Sequence, residues 1–257
     1  MSLFLLSVCY HDETRMSRVL LFWQAIRFDK KDRVVQNGAS ERETMDETKK
    51  WFLEVRADET VKSLVKHGFE ALRVPDRSAA CVEILKRIPA AKTVGVGGSV
   101  TLREIGLIDA LKARGHLLYD HWAPGLSGED SLRIRKAQLS CDVFFTGANA
   151  VTLNGEIINI DGFGNRIASM VFGPGEIMIV AGQNKIVRDI PEAMDRLKTV
   201  AAPMNAKRFR ADTPCARLGR CTDCDSPQRI CRGTLILERK PFATPTLVMI
   251  VMEDLGY

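Results

Sequence analysis

Residues 93–111 read TVGVGGSVTLREIGLIDAL. Thr93–Val96 is a short apolar run suited to a buried strand, and Ser99 stands where a helix N-cap belongs, ahead of a helix expected to end before Gly115. A strand that passes through a glycine turn into an amphipathic helix is the repeating unit of a largely parallel sheet covered on both faces. The alternation extends outward in both directions. Toward the N-terminus, Trp51, Phe52, Val55, Val61, Leu64 and Val65 recur at helical spacing up to Gly68, residues 69–74 read as a strand, and Asp76 caps a helix reaching Ile88. Toward the C-terminus come a strand at 117–119, a helix over about 129–139 and a strand at 143–146. Asn154-Gly155, between AVTL and EIINI, predicts a two-residue hairpin turn that interrupts the β-α alternation. Helix 165–172, buried strand 177–181, a helix from Pro191 to about Ala201, and candidate strands 234–238 and 247–252 complete the pattern.

The chain has 257 residues, 46% hydrophobic and 27% charged, enough for one large α/β domain or two small ones with an ordinary core. No window approaches the ~18 uninterrupted apolar residues of a membrane span, and there is no low-complexity tract. Lysine plus arginine at 37 against aspartate plus glutamate at 32 gives +5, which suits a basic pocket for an anion and falls short of a nucleic-acid footprint. The excess is local: residues 185–240 hold 13 basic and 7 acidic residues. MSLFLLSVCY at the start is apolar but lacks a basic n-region and a small-residue cleavage site, so the sequence reads as cytoplasmic, with no membrane association. Residues 1–44 read as an appendage, either a genuine extension or an upstream start ahead of Met45; residues 45–257 read as the domain, with a cysteine-rich loop at 212–232.

Four constellations carry candidate chemistry. Gly97, Gly98, Ser99 and Thr101 form a turn whose backbone can approach an anion, with Glu104 early in the following helix; a tight turn with Ser99 as cap is the alternative. The turn is neither a dinucleotide fingerprint nor a phosphate-binding P-loop. The stretch TGANAVTLNGE followed by NIDGFGNR places Asn149, Asp161, Gly162, Asn165 and Arg166 near a strand end, where open α/β sheets bind ligands. Asp161 and Arg166 are the candidate catalytic pair, an acid/base and an anion clamp, with a supporting ion pair as the alternative. Asn184 and Lys185 follow another strand and add charge to the same crevice. Cys215, Cys221, Cys224 and Cys231 form a C-x5-C-x2-C-x6-C run suited to zinc or an iron-sulfur cluster, with free thiols as the alternative. Cys81 and Cys141 read as core or helix-end residues, and His11, His67, His116 and His121 form no ligand pair and receive no catalytic role, although His121-Trp122 precedes Ala123-Pro124-Gly125, a loop expected near the sheet's ligand edge.

MDETKKWF, TVGVGGSVTLREIGLIDAL, TGANAVTLNGEIINIDGFGNRIA, VAGQNKIV, AAPMNAKR, the TPCA to RIC segment and the closing EDLGY, in this order, resemble the LUD-domain family of lactate-utilisation proteins, in its subgroup with a cysteine-bearing tail. The resemblance covers residues 45–257. It implies a Rossmann-like three-layer α/β sandwich of the superfamily that includes ribose-phosphate isomerases, glucosamine-phosphate deaminases and CoA transferases. It further implies a part in lactate or 2-hydroxy-acid oxidation beside iron-sulfur partner subunits, as an accessory subunit of an oxidoreductase, with homo-oligomerisation left open. A sugar-phosphate isomerase-like enzyme and a noncatalytic metabolite sensor or assembly factor are the competing readings, because fold does not settle function.

Overall fold

The computed structural model describes residues 37–257, with side chains from Asp46 onward, so the expectations for residues 1–36 lie outside it. Residues Lys50–Tyr257 form one compact unit. Ten strands follow in chain order: β1 (Glu70–Val74), β2 (Thr93–Val96), β3 (Leu117–Asp120), β4 (Val143–Gly147), β5 (Ala150–Thr152), β6 (Ile157–Asp161), β7 (Glu176–Gly182), β8 (Ile186–Val187), β9 (Gly233–Leu237) and β10 (Thr246–Val251). Six of them make a parallel sheet in the order β1-β10-β7-β4-β2-β3, and the other four make a small sheet, β8-β5-β6-β9. The fold is the α/β sandwich that the sequence implied.

Parallel strands buried on both faces alternate their side chains between two cores. On β7, Met178 and Val180 point into a core shared with Ala80 and Ile84 of α2 (Arg77–Arg87), Leu102 of α3 (Val100–Glu104), and Leu107 and Leu111 of α4 (Leu107–Ala113). Ile177, Ile179 and Ala181 point the other way, toward Ala57 and Leu64 of the long helix α1 (Asn37–Lys66), Met170 of helix Asn165–Val171, and Ile157 of the small sheet. Phe144 of β4 is fully buried in this second core.

Three local expectations change. The helix foreseen after Ser99 is two helices, α3 and α4, separated at Ile105 and Gly106, where Gly106 takes φ +72°. The hairpin between β5 and β6 has a three-residue loop, not a two-residue one: Val151 faces Ile157, and Thr152 N–H donates to Glu156 O at 2.9 Å. Gly155 takes φ +92°, and a side chain there would meet the Ser63 carbonyl carbon at 2.8 Å, so close helix packing and the positive φ both require glycine. Finally, the helix begun by Pro191 continues as a π-turn over Leu197–Ala201 and then an α-helix over Ala202–Arg208. Pro203 has no N–H to donate to the preceding turn, and the helix widens just before it.

Candidate functional site

All six strands of the main sheet run the same way, so their carboxyl ends share one rim. The chain leaves β2 toward β3 on one side and leaves β4 toward β7 on the other, so the switch point at which α/β sheets open a crevice lies between β2 and β4. A cavity of about 520 Å³ opens there, lined by the turns after β2, β3 and β4, the end of β6, Lys185 after β7, and the loop before β9.

Gly97, Gly98, Ser99, Thr101, Asn149, Asp161, Gly162, Asn165, Arg166 and Lys185 all line this cavity, although they lie far apart in sequence. Their bonding separates support from reach. Ser99 Oγ accepts from Leu102 N–H at 3.3 Å and so caps its helix. Asp161 accepts from Gly162 N–H (2.8 Å) with one oxygen and from the backbone N–H of Arg166 (3.0 Å) with the other. Its carboxylate therefore fixes the turn that opens helix Asn165–Val171. The Arg166 guanidinium donates to Asn149 Oδ1 (3.1 Å) and Ile160 O (2.5 Å), and burial lowers its pKa while Asp161 pulls the other way. The Asp161 carboxylate thus meets the Arg166 backbone, while the guanidinium holds Asn149 in place.

Lys185 is 3% exposed, and its Nζ donates to the Tyr257 backbone oxygen. Burial, with help from Arg196 and Arg166, lowers its pKa to about 7. Glu104 and Asn184 stand outside the cavity wall and position the C-terminal segment. Glu104 accepts from Gly256 N–H at 2.7 Å, and Asn184 Oδ1 accepts from Leu255 N–H at 3.1 Å, which brings Gly256 and Tyr257 to the cavity.

Residues with no motif of their own complete the wall. Arg135 leans over the Phe163 ring at 4.1 Å, its Nε buried without a hydrogen-bond partner. His121 follows β3 and is 9% exposed. Arg229 and Arg232 reach the cavity from the cysteine loop, whose backbone is stitched to the Asp161 turn: Arg232 N–H donates to Asp161 O at 2.9 Å, and Ile230 O lies 2.9 Å from where a Cβ on Gly162 would sit. For Arg229 and Arg232 the signals were the local basic excess over residues 185–240 and their place beside the four cysteines.

Cys215, Cys221, Cys224 and Cys231 are half-buried free thiols. Cys221 Sγ accepts from Asp223 N–H at 3.3 Å, and Arg229 donates to the backbone oxygens of Cys231 (2.9 Å) and Cys224 (2.8 Å). Burial raises the Cys231 thiol, Arg229 lowers it, and the charges of Cys221 and Cys215 are felt there. Four thiols suit a thiophilic metal in kind, and an N–H bonded to sulfur is what a thiolate ligand needs. Among the described residues, no three His, Cys, Asp or Glu side chains are gathered closely enough to ligate an ion as they stand. Cys141, by contrast, is a core residue, its thiol pushed by burial to about 11.

The chain is similar to a solved DUF162 family protein from Deinococcus radiodurans at 16% identity and a TM-score of 0.47, over 77% of this chain and 98% of that one. It is also similar to ribose 5-phosphate isomerase from Plasmodium falciparum at 16% identity and a TM-score of 0.26, over 44% of this chain and 52% of that one. Likeness at this level carries nothing about chemistry. No curated protein matches the chain significantly. Among the described residues, no helix is long and apolar enough to cross a membrane. The family model of the LUD domain matches residues 57–252, a span that contains all ten strands of both sheets, and the chain belongs to the LUD domain family.

Proposed function

We propose that the cavity binds a small carboxylic acid, and that the protein serves lactate or related 2-hydroxy-acid utilisation in the cytoplasm as an accessory to iron-sulfur partner subunits. One observation carries the reading: among the described residues the cavity wall holds five cationic side chains, Arg135, Arg166, Lys185, Arg229 and Arg232, of which Arg229 is paired with Asp223 at 2.9 Å outside the wall, against one carboxylate side chain, that of Asp161. Enclosed charge of one sign attracts and retains an anion. The volume of about 520 Å³ lies within the range of small-molecule sites. An isomerase-like role would use Asp161 as a mobile acid/base, and its two oxygens, each accepting a backbone N–H, give that role less support. A thermal-shift panel tests the choice: lactate and pyruvate raise Tm and sugar phosphates do not, whereas a shift with sugar phosphates alone contradicts the reading.

The cysteine loop, on this reading, takes a thiophilic metal through Cys215, Cys221, Cys224 and Cys231. Zinc would clip the loop against the cavity, and an iron-sulfur cluster would add one-electron transfer to a partner. Anaerobically purified protein is expected to hold stoichiometric zinc, or iron with sulfide. Metal-free protein with all four thiols open to titration contradicts the proposal.

A further inference from the structure

His121 has no partner in any sequence motif, yet its setting in the cavity is tightly specified. Its Nδ1 lies 2.9 Å from Gln138 Nε2. The same Gln138 nitrogen donates to Val96 O (2.7 Å) and Tyr119 O (2.8 Å), while Gln138 Oε1 accepts from Asn165 Nδ2 (2.9 Å). Two carbonyl oxygens thus decide which end of the fully buried Gln138 amide is nitrogen. That nitrogen has two hydrogens for three acceptors, so one is shared between a carbonyl and Nδ1; an Nδ1–H would point at a group that cannot accept it, so the lone pair is on Nδ1 and the imidazole proton sits on Nε2. Nε2 lies 2.9 Å from the position that a Cβ on Gly98 would take, at the cavity wall. Among the described residues, no hydrogen-bond partner occupies it.

Burial and the neighbouring Arg135 and Arg103 disfavour a second proton on the ring, against the weaker opposite pull of Asp120 and Asp161, and hold its pKa at about 4. At neutral pH the ring is an uncharged donor among cations. Such a donor adds little for a carboxylate already faced by arginines and lysine. It suits an uncharged oxygen.

We propose that His121 Nε2–H is the donor for the 2-hydroxyl or 2-oxo oxygen of the bound acid, with Gln138 as the positioning residue that fixes its tautomer. The inference rests on the carboxylate reading above and deepens it: the cations hold the acid group, and His121 selects acids that carry oxygen on the adjacent carbon. Pyruvate and propionate separate the two, because they share a carboxylate and a three-carbon length and differ at that oxygen. A site built around a hydrogen-bond donor discriminates against a ligand that leaves it unpaired.

The test has two arms. Nitrogen-15 NMR of the imidazoles in the intact protein is expected to show His121 with Nε2 protonated and Nδ1 bare, unchanged between pH 5.5 and pH 8. A proton on Nδ1, or titration within that interval, overturns the proposal. Calorimetric titration at pH 7 is expected to give pyruvate at least tenfold tighter binding than propionate in the wild type. His121→Phe should bring pyruvate to within about twofold of propionate and leave propionate unchanged, and Gln138→Met should erode the same preference. Equal binding of the two acids by the wild type, or a preference that survives in His121→Phe, overturns the role of His121 while the carboxylate reading stands. Failure of both acids to bind at millimolar concentration overturns both.

Discussion

Acid binding is expected to weaken above pH 7, with a slope approaching about tenfold per pH unit above pH 8, and Lys185→Met is expected to make it pH-independent. Among the described residues, Lys185 is the only lysine of the cavity wall, enclosed at 3% exposure with a pKa lowered to about 7. An anion that counts on its ammonium binds only the protonated fraction, which is about one half at pH 7, so the slope approaches one decade per unit and the loss between pH 7 and pH 9 is about 50-fold. The arginines keep their charge throughout this interval, and His121 is already neutral, with a pKa of about 4. Stability of the empty protein should move in the opposite direction. The folded pKa lies below the unfolded value of roughly 10.4, so between these limits the unfolded chain carries more protons and stability rises with pH. The cost of burying the charged lysine is present in full below pH 7 and is relieved as pH climbs toward 10. Calorimetry for binding and denaturant unfolding for stability check both slopes in the same protein. A decline in affinity that persists in Lys185→Met would assign the titration to another group.

Phe144→Ala is expected to cost about 3–5 kcal/mol of folding stability and to loosen the site as well. The ring is fully buried on β4, between β2 and β7. Its Cδ2 stands 3.0 Å from the position a Cβ would take on Gly95, and its Cζ stands 2.8 Å from that on Gly97. The two glycines leave a slot that this ring fills, directly beneath the turn that forms one cavity wall. Deleting the ring leaves a void next to backbone that has no side chain with which to close it. Urea unfolding measures the loss, and a value under 1 kcal/mol would show that the turn relaxes into the space.

The glycine pattern of TVGVGGS was therefore legible as a turn, while half of its cause was not. Sequence showed that the backbone comes close to something there. It did not show that Gly95 and Gly97 are approached by Phe144, about fifty positions later, because packing partners across parallel strands leave no local spacing. The strand series itself was readable because strands buried on both faces are apolar throughout. The π-turn before Pro203 and the three-residue hairpin loop depend on tertiary packing, which local propensity does not encode.

Site legibility followed the same division. Asp161, Arg166 and Lys185 stood at strand or turn ends and were found by position. Their detailed bonding, with Asp161 serving the backbone, belongs to the folded chain. His121 and Gln138 are seventeen positions apart and belong to no motif, so only the folded chain shows their pairing. Glu104 and Asn184 were near enough to be named, yet they act one step behind the wall by anchoring residues 255–256.

The most direct measurement is a crystal structure of the protein soaked with lactate at a concentration that saturates binding. The account requires difference density for one molecule in the cavity at the carboxyl ends of β2 and β4, its acid group facing Lys185 and Arg135. A saturated crystal in which that cavity stays empty, with lactate bound elsewhere on the molecule, would contradict it.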